Sequence, residues 1–266
     1  MPVTGPANFR PINQKNFSRL DYQVMRLVFE SQNHLGRLCD ETIYQNDLLA
    51  RLSAAGLSAC KEIPVTVTHG NFTKTYWLDL VVENAAIYEL KTTHALVGAH
   101  EAQLLNYLFL CSAQHGKLIN FRPLQIESRF INARQSRFER LQFSIETHHW
   151  QERDPTDLIF RTRFLELVKD WGCLLDVALY TEAMIHFAGG ENKVAQRLPL
   201  ISRSTPLGTQ PFLLLNPETA FVITALTEGI PNYHQHLRSL IQLSPLKVLQ
   251  WINLEHHTIQ FTSLTR

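Results

Sequence analysis

The same order of elements occurs twice along this chain, and that repetition constrains the fold more than any single motif. In the first half, Val24, Leu27, Val28 and Leu35 fall at helical spacing, and Gly36 ends the run. A second helix is predicted over about Asp40 to Ala55, with Ile43, Leu48, Leu49 and Leu52 as its apolar side. The period then changes to two. It predicts strands over Lys61 to Thr68, Tyr76 to Val82 and Ala86 to Lys91. A helix from Gly98 to Cys111 and strands at 117–121 and 125–131 complete the set. In the second half, helices are expected at 158–170 and 173–187, then strands at 194–201, 211–215 and 220–226. A helix at 232–243 and strands at 247–254 and 257–264 follow.

Identities support the repetition. At an offset of 136, Gly36, Leu38, Asp40 and Tyr44 meet Gly172, Leu174, Asp176 and Tyr180. At 135, Pro64 meets Pro199, and at 133, Ile119-Asn120 meets Ile252-Asn253. In that last register 103–131 aligns with 236–264 without a gap. The charges of the first half are absent from the second. Glu41 faces Val177, and Asp79 falls near Leu213. Glu89 falls near Ile223 or Thr224, Lys91 near Ala225 or Leu226, and Gln103 faces His236. The expected organisation is therefore a domain over 19–132, a polar linker over 133–157 and a degenerate copy over 158–266. Residues 1–18, with three prolines, read as a loose arm.

Composition narrows the class. The hydrophobic fraction is 45%, enough for packed cores, and the longest apolar runs are strand-sized. Neither a membrane span nor a secretory leader is expected. Lys+Arg number 25 against 24 Asp+Glu, which argues against a uniformly basic nucleic-acid coat but not against a local basic groove. Four scattered cysteines, with no Cys-x-x-Cys pair, fit a reducing cytoplasm.

Chemistry is expected at one strand pair. If Glu83, Asn84 and Ala85 form the hairpin loop, Val82 pairs with Ala86, and Asp79 lies opposite Glu89. Glu89 and Lys91 share a face. Two adjacent carboxylates repel unless a cation compensates. Hard divalent cations, Mg²⁺ or Mn²⁺, take such oxygen ligands, with the Leu90 carbonyl as a further candidate. Lys91 beside them suits orienting or activating a water.

Asp79 followed by Glu89-x-Lys91 resembles the PD-(D/E)XK nuclease superfamily, and more narrowly its GxxExxY family. Glu41 and Tyr44 in Leu38-Cys39-Asp40-Glu41-Thr42-Ile43-Tyr44 match the motif of that family's name, although Leu38 stands in place of its glycine. Gln103-x-x-x-Tyr107 and the segment 116–121 are similar to it as well. The resemblance spans about residues 20–131. It implies a restriction-endonuclease-like α/β sandwich, here duplicated in tandem as an intrachain pseudo-dimer, and open to further homo-oligomerisation. It implies Asp79 and Glu89 as metal ligands, Lys91 as the catalytic lysine and Glu41 as an auxiliary ligand or water-positioning group. Gln103 and Tyr107, one turn apart on a helix, would orient the site or the scissile phosphate. The activity implied is Mg²⁺- or Mn²⁺-dependent hydrolysis of phosphodiesters in DNA, with RNA second. The alternative is a non-catalytic module that binds nucleic acid or protein.

Other features read as structural. His148-His149 and His256-His257 are strand neighbours that point to opposite faces, and so make poor chelates. Gly189-Gly190-Glu191 lacks the lysine and serine of a phosphate loop. Arg129, Arg134, Arg137 and Arg140, interleaved with Glu127 and Glu139, read as a solvated face ahead of a phosphate contact. Tyr44 reads as packing, and His100 stands where it could reach the site.

Overall fold

The structure, a computed structural model, describes residues 2–266. Met1, part of the expected arm, lies outside the described residues. The chain forms two compact units, residues 1–68 with 73–137, and residues 69–72 with 138–266. Among the described residues each unit holds one six-stranded sheet.

In the first unit β1 (Val3–Thr4) precedes helices α1 (Gln14–Leu35) and α2 (Glu41–Ala54). Strands β2 (Ala59–His69), β3 (Phe72–Val82) and β4 (Ala86–Lys91) form a meander. Helix α3 (Gly98–Leu110) then crosses to β5 (His115–Asn120), which runs parallel to β4, and β6 (Glu127–Asn132) closes the sheet antiparallel. The spatial order is β1-β2-β3-β4-β5-β6. The expected loose arm thus supplies an edge strand, because Val3 and Thr4 pair with Val67 and Thr66.

One face of this sheet carries α1 and α2. Phe17, Val24 and Val28, with Tyr44, Leu48 and Leu52, pack on Leu80, Val82, Tyr88, Leu90, Ile119 and Phe121. The other face carries α3. There Gly116 is needed for close approach: a Cβ would stand 3.0 Å from Leu108 Cδ2 and 3.2 Å from both Leu104 Cδ1 and the Ile87 carbonyl oxygen. Successive β4 side chains alternate, so Tyr88 and Leu90 enter the core while Glu89 and Lys91 point to the α3 side.

The second unit contains α4 (Arg137–Arg140), β7 (Ser144–His149), α5 (Pro155–Trp171), α6 (Val177–Phe187) and α7 (Glu191–Val194). After these come β8 (Ala195–Ser202), β9 (Thr205–Asn216), β10 (Thr219–Thr224), α8 (Ile230–Leu243), β11 (Val248–Glu255) and β12 (Thr258–Thr265). Its sheet order is β7-β12-β11-β10-β9-β8, and β10 and β11 form a parallel pair as β4 and β5 do. The stretch 133–157, expected as a linker, instead holds α4 and β7, and β7 runs parallel to β12. Arg140 departs from the expected solvated face: it is 3% exposed and donates to the Trp171 and Cys173 carbonyls.

The repetition extends to individual hydrogen bonds. Gly36 and Gly172 end α1 and α5 at φ +73° and +87°, where L side chains are strained. Tyr44 donates its hydroxyl to the Gly36 carbonyl and Tyr180 to that of Gly172. Asn120 accepts from the Thr93 N–H and donates to the Thr93 carbonyl and to Glu127. At an offset of 133, Asn253 makes the same three bonds with Leu226 and Gln260. The sheet register corrects the sequence alignment. Ile223 and Thr224 pair with Ile252 and Asn253 as Leu90 and Lys91 pair with Ile119 and Asn120. Glu89 therefore corresponds to Val222, Lys91 to Thr224 and Asp79 to Phe212.

Candidate active site on the first sheet

The β3–β4 hairpin has the expected register, with Val82 opposite Ala86 and Leu80 opposite Tyr88. Glu83 and Asn84 turn the chain at positive φ, and the Ala85 N–H closes the turn on the Val82 carbonyl. One residue past the last paired position, Asp79 Oδ2 accepts the Leu90 N–H at 2.8 Å. Lys91 Nζ lies 2.7 Å from Glu89 Oε1 and 3.8 Å from Asp79 Oδ2. Asp79, Glu89 and Lys91 thus form one cluster. The Leu90 side chain is in the α1/α2 core, and its backbone N–H is the bond that fixes Asp79.

Electrostatics follow from burial. Glu89 is fully buried, and desolvation together with the neighbouring Asp79 charge pushes its carboxyl up to about 8, against the pull of Lys91. Burial likewise raises Asp79, opposed by the Leu90 N–H and by Lys91. Lys91 stays above the usual ammonium range: burial works against its charge, but Glu89 and Asp79 outweigh it. Glu41, the first residue of α2, is raised by burial and feels Lys91 and Asp79, so it faces the same space.

Gln103 and Tyr107 come together on α3, where Gln103 Nε2 donates to the Tyr107 hydroxyl at 2.9 Å. Tyr107 also feels the charges of Glu89, Asp79 and Lys91. His100 behaves differently: its Nδ1 accepts the Val97 N–H at the start of α3. Tyr44 stacks on Phe121 at 4.3 Å in the core.

Three residues escaped sequence reasoning. Gln45, four residues after Glu41 and 4% exposed, donates to the Asp79 carbonyl at 2.7 Å. Its spacing from Glu41 was the available signal. Asn120 clamps the chain at Thr93, just past Lys91, and its recurrence as Asn253 pointed to it. Glu62 adds negative charge felt by both Glu41 and Asp79 and sits at φ +53° inside β2, which no pattern announces.

Among the described residues, no group of three or more His, Cys, Asp or Glu side chains is arranged to hold a metal ion as it stands. The donor set nevertheless fits a hard cation. Glu89 Oε2 is buried without a hydrogen-bond partner, beside the carboxylate of Asp79. No helix among the described residues is long and apolar enough to cross a membrane.

The fold and this cluster define an α/β sandwich bearing an Asp…Glu-x-Lys site at the end of a central strand pair. Residues 18–132 match the family model of the PD-(D/E)XK nuclease superfamily. Among solved structures, one described as "Crystal structure of SSO0001" is similar at 23% identity, over 43% of this chain and 61% of that one, with a TM-score of 0.30. The chain thus spans less than two thirds of the length of that structure. No curated protein matches the chain.

Proposed function

We propose that the protein is a Mg²⁺- or Mn²⁺-dependent nuclease that hydrolyses phosphodiester bonds in DNA ahead of RNA. The carrying observation is the buried Glu89, whose Oε2 has no partner, beside Asp79 and Lys91. Asp79 and Glu89 would hold the cation, with the Leu90 carbonyl and Glu41 as further oxygen donors. The bound ion would supply Lewis acidity, making a water more acidic and stabilising charge on the phosphate. Lys91, half-buried and charged, would orient the attacking water and hold the site together electrostatically. Gln103 and Tyr107 would position the scissile phosphate from α3, and Glu41 would position the water. Gln45 and Asn120 would act through the backbone, fixing Asp79 and the turn after Lys91.

We assign this activity to a domain over 19–132. The second half, 158–266, is read as a degenerate copy in which Phe212, Val222 and Thr224 replace the triad. The recurring Tyr–Gly and Asn clamps support common descent. Four free cysteines support a reducing, cytoplasmic setting.

The test is a cleavage panel of labelled single-stranded, duplex and branched DNA and RNA, each with Mg²⁺, Mn²⁺ or EDTA. Wild type should cut only with metal, and Asp79→Ala and Lys91→Ala should each lose at least about 100-fold. Nucleic-acid binding without metal-dependent cutting, unchanged in Lys91→Ala, would instead establish a binding module.

A further inference from the structure

The second unit contains a cavity of about 620 Å³ between the start of α8 and the β7–β12–β11 edge of its sheet. We propose that this cavity binds the phosphate of a nucleotide unit, either a free nucleotide or a residue of a single strand. Its volume lies within the range of small-ligand pockets.

The cavity is lined by side-chain donors without protein partners. Arg238, His148, His149 and His234 line the cavity. None of these four side chains makes a hydrogen bond or ion pair among the described residues. One carboxylate, Glu146, lies on the wall, and Gln260 Nε2 approaches it at 3.3 Å. The imidazoles and the guanidinium converge. Burial holds His234 below the ordinary histidine value, and the charges of Arg238 and His149 push it the same way. Trp251 forms part of the lining, its ring fixed by an indole N–H bond to Thr224 Oγ1 at 2.8 Å. The first turn of α8 adds a positive pole: it has no acidic residue, and its cap, Gly229, has no side chain to offer.

Adjacent strand residues should point apart, yet His148 and His149 both line this cavity, with rings 4.3 Å apart. The reason is a register shift. Glu146 pairs with Gln260 but His149 with Thr262, so β7 carries one residue more than its partner there. The bulge turns two imidazoles to one side.

The first unit carries a different set of side chains at the corresponding positions. At the offset of 133, His234 and Gln260 stand where it has Glu101 and Glu127. Arg238 and Thr262 stand where it has Leu105 and Arg129. In that unit Arg129 pairs with Glu101 and Glu127, and donates to the Leu96 carbonyl. The closed acidic set of one unit is an open basic set in the other. An oxyanion with hydrogen-bond acceptors on every side matches those donors, and a guanidinium binds phosphate through two parallel N–H groups.

The test is calorimetric titration of the full chain in EDTA with AMP, adenosine, inorganic phosphate and a thymidine octanucleotide. Arg238→Ala and Arg238→Lys are compared with wild type, and Lys91→Ala serves as the first-unit control. Arg238 is exposed, so its variants are expected to keep the wild-type melting temperature. Binding of AMP or the octanucleotide is expected, with adenosine at least about tenfold weaker. Arg238→Ala should weaken it by about tenfold or more and Arg238→Lys by less, while a loss confined to Lys91→Ala would place the binding in the first unit. Tighter AMP binding identifies a free nucleotide, and tighter octanucleotide binding a strand. The proposal is overturned if no phosphate-bearing probe binds, if Arg238→Ala binds like wild type, or if only Lys91→Ala loses binding.

Discussion

At the scale of single residues, Glu89 carries the sharpest prediction. Burial holds its proton up to about pH 8, whereas an exposed glutamate releases it near 4.5. Between those values the folded chain binds more protons than the unfolded one, so this contribution to stability is full at low pH and falls as pH rises. In EDTA the melting temperature should therefore decline from about pH 5 to 8, and Glu89→Gln should flatten the slope. A variant melting with the wild-type slope would contradict the role given to burial. Mg²⁺ competes with the same proton, so its affinity should rise over that window. Gln45→Ala leaves the Asp79 carbonyl without its buried donor and should cost about 1–3 kcal/mol. Thermal denaturation measures that loss, and the cleavage rate would fall with it if Gln45 positions Asp79. The clustering of Asp79, Glu89 and Lys91 was legible in the sequence because alternation along a strand fixes the face. Gln45, Asn120 and Glu62 were not, because their partners are main-chain groups or charges distant in sequence.

Among the elements, helices, meanders and hairpins followed from periodicity, and the Val82–Ala86 register followed from a three-residue loop. The missed strands are the informative ones. β1 is two residues long, and β7 has every side chain exposed, so neither carries the alternation that betrays a half-buried strand. The alignment slipped at Asp79 and Glu89 because the offset of 135 that Pro64 and Pro199 suggest does not extend into β9 and β10, which follow the offset of 133. The helix-ending clamps permit a paired test. Tyr44→Phe and Tyr180→Phe each remove one hydroxyl bond to a glycine carbonyl, and each should cost about 1 kcal/mol in thermal denaturation. Gly116→Ala inserts a methyl against Leu108, Leu104 and the Ile87 carbonyl, and should destabilise by about 1–3 kcal/mol.

Over the whole molecule, the two units keep the same apolar skeleton and differ in charge. If the second is a spent copy, Thr224→Ala should leave cleavage at the wild-type rate while Lys91→Ala abolishes it. A loss in both would mean that the second sheet also takes part in the reaction.

The sixth strand differs between the units in an instructive way. β1 joins the β2 edge of one sheet, whereas β7 joins β12, at the opposite edge of the other. If the two units descend from one ancestor, the shared inheritance is five strands and three helices, and each sixth strand is a separate addition. Among descendants of the same ancestor, the five should stay constant while the sixth changes sides or disappears. In this chain, β7 carries His148 and His149, two of the histidines that line the second unit's cavity, so a strand outside the pattern common to both units supplies part of that lining.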